Sequence, residues 1–262
     1  MELQKEASKW HNFKRYATPV GGTLFLALIG SLYIAGNISP YISIYFGVTT
    51  DQTSNIMPAT FAAQALTIPV GSYFVQKGVE PKLLLTIGTV IFFCMQMVAN
   101  STQNYSIFFW FYSMSWPINQ GLNYMIPIHH SWLWFPGNAG LVSGICLAGM
   151  GIGGAVFNIV STKLINPENI SVTDPTYEAM IKANFQHMLK SLLAMWMVLA
   201  LIGILFIFRG PEPAPKPDTE APTSIQQAQE VNQEVQETRD GNDEFDEEHY
   251  DPSQHCDAKE ML

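Results

Sequence analysis

The chain has 262 residues, of which 48% are apolar and only 13% are charged, about half the charge of an ordinary soluble domain. Residues 1–209 carry ten Lys/Arg against seven Asp/Glu, net +3, while residues 210–262 carry three against fifteen, net −12. The uncharged stretches of the first part argue against a water-exposed enzyme, and the negative sign of the only dense charge argues against a nucleic-acid binder.

In chain order, a basic arm (residues 1–17, with Lys5, Lys9, Lys14 and Arg15) precedes 35 residues without formal charge, up to Asp51. A further 25 uncharged residues separate Asp51 from Lys77; Leu83 to Thr162 is an uncharged run of 80, and Ser191 to Phe208 one of 18. A membrane-crossing helix needs about 20 mostly apolar residues. The 80-residue run is interrupted by polar or turn-forming clusters at 99–106 and 129–138, so it reads as three spans. The expectation is an all-α, polytopic membrane protein with six spans near 20–45, 54–75, 82–100, 105–128, 138–162 and 188–208. Together they form a domain over 18–209. The first span lacks the short apolar core and small-residue cleavage site of a signal peptide, so it is expected to be retained.

Basic residues in the arm, with Lys77 and Lys82 between the second and third spans, predict cytoplasmic N- and C-termini. Candidate glycosylation sites at Asn100, Asn104 and Asn169 then fall on the opposite side. Residues 210–262 open on alternating prolines and end in an acidic run. That composition predicts a disordered acidic cytoplasmic tail, a solvated linker or a partner-binding element.

The chemistry available is restricted. Three cysteines, none on an outer loop, offer no disulfide framework. His129 and His130 are adjacent and point different ways on a helix, so they read as interfacial side chains beside Trp132 and Trp134 rather than a metal pair. No catalytic residue, metal site or cofactor is expected. The fifth span places Gly140/Gly144 and Gly149/Gly153 at helix-packing spacing, with Gly151 and Gly154 alongside. Small residues strip a helix face so that a neighbour can approach closely, either as plain packing or as a surface that slides during a conformational cycle. Pro40, Pro58, Pro69, Pro117 and Pro127 interrupt the first, second and fourth spans. The same spans carry Asn37, Tyr41, Tyr45, Gln64, Asn119, Gln120, Asn123 and Tyr124. Each reads singly as an interhelical hydrogen-bonding group; as a set on proline-broken helices they read as a candidate substrate path.

Six spans with a glycine-rich fifth resemble the N-terminal half of a major facilitator superfamily transporter. Gly71-Ser-Tyr-Phe-Val-Gln-Lys-Gly78 is similar to that superfamily's loop motif, with Gly71 and Gly78 at the right spacing. Gly149-Met-Gly-Ile-Gly-Gly154 is similar to its fifth-helix antiporter motif. Trp134-Phe-Pro136 ahead of Gly140, and Gly36-Asn-Ile-Ser-Pro-Tyr41, look most like the oxalate/formate antiporter and monocarboxylate transporter branch. Departures are Val75 and Gln76 at the charged positions of the loop motif, Met150 for proline, Ala139 for a basic residue and Val20 for an acidic one. The resemblance implies alternating-access transport of a small organic anion of the monocarboxylate or dicarboxylate class. Its two-half architecture implies that this chain needs a homodimer or a separate partner half. No Lys or Arg lies deep in the spans, and a buried carboxylate needs a cation. A half-length product without transport, and a membrane adaptor acting through the acidic tail, stay open beside it. The expected partners are the lipid bilayer and a small organic anion, not nucleic acid.

Overall fold

The computed structural model describes residues 2–211, with side chains from residue 8 onward. The expectations for the tail beyond 211 lie outside the described residues. Among the described residues every regular element is helical: α1 (Glu2–Gly30), α2 (Ile34–Phe46), α3 (Thr50–Ser54), α4 (Ile56–Gln76), α5 (Pro81–Ser101), α6 (Tyr105–Asn123), α7 (Met125–Trp134), α8 (Ala139–Ile165) and α9 (Tyr177–Phe206).

Four helical stretches are long and apolar enough to cross a membrane: Ser8–Phe46, Pro81–Ser101, Pro136–Ile165 and Tyr177–Phe206. They correspond to the first, third, fifth and sixth expected spans. The first begins well before residue 20, because the basic arm continues α1 without a break. The last begins eleven residues before 188, because Tyr177, Ile181, Phe185, Met188 and Leu192 form one buried stripe ahead of the apolar run. The helices α4, α6 and α7, where the second and fourth spans were expected, fall outside this set.

Local chemistry explains the joints. A one-turn 3-10 segment, Ser31–Tyr33, joins α1 to α2. There the Ser31 hydroxyl donates to the Leu28 carbonyl three residues back, which favours the tighter turn. Gly47 ends α2 in the left-handed conformation (φ 66°), as helix-terminating glycines do. The end of α4 is a Schellman turn: Gly78 N–H donates to Val75 O (3.0 Å) and Val79 N–H to Phe74 O (3.3 Å), with Gly78 at φ 72°. Pro81 then starts α5 at a position where no amide hydrogen is needed.

The prolines behave differently from the expected pattern of broken spans. Pro40, Pro69 and Pro117 stay inside helices, and Pro58 sits in the first turn of α4, where it is tolerated. Only Pro127 accompanies an interruption: it cannot donate to the Asn123 carbonyl, and the chain bends at Tyr124 between α6 and α7. At the far end of the bundle, Asp174 accepts from the Thr176 amide (2.8 Å) and hydroxyl (2.6 Å) just before α9. The Thr176 bonds hold its carboxyl below the usual carboxylate range. They favour the charged form, so this turn is firmest above the ordinary carboxylate pKa and loosens as pH falls through the lowered value.

The long α1–α2 rod packs on α8 and α9, α6 packs between α4 and α5, and α5 meets α9. Where α5, α6 and α9 converge, Phe92, Trp116 and Trp196 interlock edge to face, with ring centroids 4.8 Å (Phe92–Trp116) and 5.0 Å (Trp116–Trp196) apart. The outside of α8 exposes Leu141, Ile145, Ile152, Val156 and Ile159, an apolar stripe of the kind that lipid covers.

Apart from Lys190, partway along α9, the described charges divide by end. Lys9, Lys14, Arg15, Lys77, Lys82 and Arg209 gather with Glu80 where α1 begins, α4 meets α5 and α9 ends. Asp51, Glu168, Asp174 and Glu178 lie with Lys163 and Lys182 at the opposite end.

Candidate functional site

Two helix pairs approach to backbone contact, and the first joins α1 to α8. A Cβ built on Gly149 would overlap the Thr23 carbonyl oxygen, one on Gly153 that of Ala27, and one on Gly30 that of Met150. Gly154 lies beside Gly30 and Tyr33. Backbone thus meets backbone along the seam, and Thr23 Oγ1 adds a cross-seam bond to Ile145 O (3.3 Å). Gly140, Gly144 and Gly151 have nothing within 4 Å of an added Cβ. The expectation that all six glycines pack is therefore corrected. Their spacing is right, but among the described residues nothing packs on Gly140, Gly144 or Gly151 themselves; the first part of α8 meets α1 and α7 through Ser143 and Cys146 instead. A second seam joins α4 to α6 through Gly71 and Gly121, where Thr67 Oγ1 also donates to Pro117 O (2.7 Å). Gly71 is buried well inside α4. Only Gly78 of the loop-motif pair lies in the connection itself.

The expected polar path divides into two groups. One runs along α2 in steps of four: Asn37, Tyr41 and Tyr45, all half-buried. Asn37 Nδ2 donates to Thr162 Oγ1 of α8 (3.0 Å). The Tyr41 hydroxyl lies near that of Tyr177 at the start of α9. Tyr45 stacks on Phe185 (4.4 Å between ring centroids) and donates to Gln103 Oε1 (3.4 Å). The same step of four leads back to Tyr33, which the sequence reading passed over. Its ring edges the Gly154 face of α8, and its hydroxyl neighbours that of Tyr124. The exposed positions on this part of the rod are Tyr33, Gly36 and Pro40. The four-residue rhythm was the available signal for Tyr33. No sequence signal pointed to Thr162 or Tyr177, which belong to helices distant in the chain.

The other group is buried between α5 and α6. Asn123 Nδ2 donates to Asn119 Oδ1 (2.8 Å) and reaches Leu85 O (3.4 Å) and Thr89 Oγ1 (3.5 Å). Gly88 makes the space for this amide. Gln96 Nε2 donates to Ser115 Oγ (2.9 Å) beside it. Asn119 and Asn123 are completely buried; Asn123 ties α6 to α5, its bond to Asn119 lies within α6, and neither continues the α2 stripe. Gln120 is buried and Gln64 half-buried, each with its Oε1 unpartnered.

The three sequons also differ. Asn100 is buried in the last turn of α5, its amide turned toward Leu189 O (3.5 Å). That removes it as a glycan acceptor. Asn104 is exposed and caps α6, its Oδ1 accepting from Ser106 N (2.8 Å). Asn169 is exposed at φ 55° in the loop between α8 and α9. Among the described residues there is no group of three His, Cys, Asp or Glu able to hold a metal ion.

The sequence profile of the Major Facilitator Superfamily matches residues 20–240 of the chain. The chain belongs to that superfamily. Its apolar helices accordingly make it an integral, multi-pass membrane protein. Apicoplast pyruvate carrier 1 of Toxoplasma gondii is 26% identical over 123 residues. That stretch covers 47% of this superfamily member and only 22% of the carrier's own length. No solved structure matches the chain significantly.

Proposed function

We propose that the chain is a transport protein for a small organic anion of the monocarboxylate or dicarboxylate class, working by alternating access across six spans. The observation that carries this reading is the tyrosine and amide stripe that runs from Tyr33 along α2 to Tyr45, set against α8, α9 and Tyr124 in a member of the Major Facilitator Superfamily. The fourth and second spans take in α6–α7 and α4, whose Gln, Asn and Thr side chains lower their apolarity while tying them to neighbours. The oxalate/formate and monocarboxylate branch is supported by Trp134-Phe-Pro136, by Gly36 to Tyr41, and by a relative that carries pyruvate. Hydroxyls and amides orient a carboxylate but do not neutralise it. Along the α2 stripe the described polar partners are uncharged, so the cation would come from a second copy or a partner half.

The test is uptake of labelled pyruvate, lactate and oxalate into liposomes holding the full chain, alone and with its partner half. Asn37→Leu and Tyr124→Phe are each expected to lower uptake per folded molecule about fivefold, the value of one hydrogen bond. If neither single chains nor pairs move any of these anions, the transport reading falls and the half-length product without transport takes its place.

Cytoplasmic termini follow from the basic end formed by Lys14, Arg15, Lys77, Lys82 and Arg209. This orientation is tested by glycosylation in a competent expression host. A gel shift reduced by Asn169→Gln, abolished when Asn104→Gln is added, and unaffected by Asn100→Gln is expected. Absence of any shift, with Asn169 exposed, would argue for the reverse orientation.

A further inference from the structure

At the basic end, two cations converge on one aromatic ring. Lys82 Nζ of α5 lies 4.5 Å from the centroid of Phe208, and Lys14 Nζ of α1 lies 5.8 Å from the same centroid and 5.5 Å from that of Trp10. The ring is fixed in place although it lies beyond the end of α9. Phe208 N–H donates to Thr18 Oγ1 (3.2 Å), and its carbonyl accepts from Trp134 Nε1 (3.4 Å). Two residues further, Gly210 N–H donates to His130 Nδ1 (3.3 Å).

The nearby carboxylate, Glu80, is paired with Arg209 at 3.8 Å. Neither Lys14 nor Lys82 has an ion-pair partner among the described residues. The aromatic face attracts both ammonium groups but leaves their positive charge uncompensated. Beside them Trp10 and Phe13 are stacked (5.3 Å between centroids), and both are exposed, with Phe13 also against Phe206 and Phe208. The surface thus offers two unpaired cations next to an apolar aromatic shelf, at the level where a membrane-spanning bundle meets headgroups.

We propose that this corner is a binding site for an anionic phospholipid. Its phosphate bridges Lys14 and Lys82, and its glycerol and upper acyl region lie on Trp10 and Phe13. A zwitterionic lipid carries its own ammonium group, which offsets the charge of its phosphate and weakens its attraction to the pair. A free phosphate gains nothing from the aromatic shelf. The inference rests on membrane embedding alone and stands or falls independently of the transport reading.

The experiment is native mass spectrometry of the full chain released from detergent containing equal amounts of dioleoylphosphatidylglycerol and dioleoylphosphatidylcholine. Preferential retention of the phosphatidylglycerol is expected. In the Lys14→Gln/Lys82→Gln variant that retention should fall about 30-fold, roughly fivefold for each charge lost. Lys163→Gln/Lys182→Gln, at the opposite end, should leave it unchanged. Circular dichroism checks that the variants are folded. If the double variant does not fold, the wild-type preference and its loss on raising salt decide the matter. Equal retention of the two lipids, retention unaffected in the folded double variant, or a rise in melting temperature with inorganic phosphate equal to that with phosphatidylglycerol each overturns the proposal.

Discussion

Gly153→Leu is expected to separate α1 from α8 and to cost roughly 3 kcal/mol or more of stability, with most of the protein lost as aggregate on extraction. The reason is that the obstructing atom is backbone. A Cβ at Gly153 overlaps the carbonyl of Ala27, and no rotamer change moves it. In a bilayer, lipid tails are as apolar as the side chains, so helix association depends on close van der Waals approach. The α1–α8 seam achieves this through three glycines, Gly30, Gly149 and Gly153, each set against the opposing backbone. Gly151→Leu is the matched control, two residues away on the same helix and with open space in front of it. Thermal unfolding followed by size-exclusion chromatography reads both. Equal melting of the two variants would mean that the seam does not exist as described.

The second large effect is expected at Asn123. Asn123→Leu should lower stability by about 2 kcal/mol, because it removes the bond to Asn119 Oδ1 and drives a branched side chain into the space left by Gly88. Asn123→Ala keeps that space open and should cost about half as much. Asn37→Leu loses only one half-buried bond to Thr162, so its melting point should move little while its transport falls. This contrast separates a residue whose loss loosens the bundle from one proposed to lie on the substrate path. If Asn123→Leu melts like the wild type yet transports poorly, Asn123 belongs to the path after all.

Asn119/Asn123 and Asn37/Tyr41/Tyr45 show why the sequence alone could not draw that distinction. Both sets recur in steps of four, and a step of four says only that side chains share a helix face. It does not say which element covers that face. Among the glycines the same limit applies. Gly140/Gly144 and Gly149/Gly153 are identical as patterns, yet only the second pair meets α1. Gly71 and Gly78 were read together as a loop motif, but the first packs against Gly121 inside a helix and only the second shapes the turn.

The features legible in the sequence were those set by transfer of single segments between water and lipid. Uncharged runs of the right length marked the apolar helices. The bias of Lys and Arg toward one end was visible before any fold was known, since charge is a property of each residue and its chain neighbours. Tertiary structure decided what depends on partners far apart in the chain. Thr162 and Tyr177 join the α2 stripe, Asn100 turns inward to Leu189 and is lost as a glycan site, and Lys14 and Lys82 meet at Phe208. Each of those contacts joins residues tens to nearly two hundred positions apart. Their formation depends on how helices cross, which is set by backbone approach and side-chain volume summed over whole seams rather than by any local pattern.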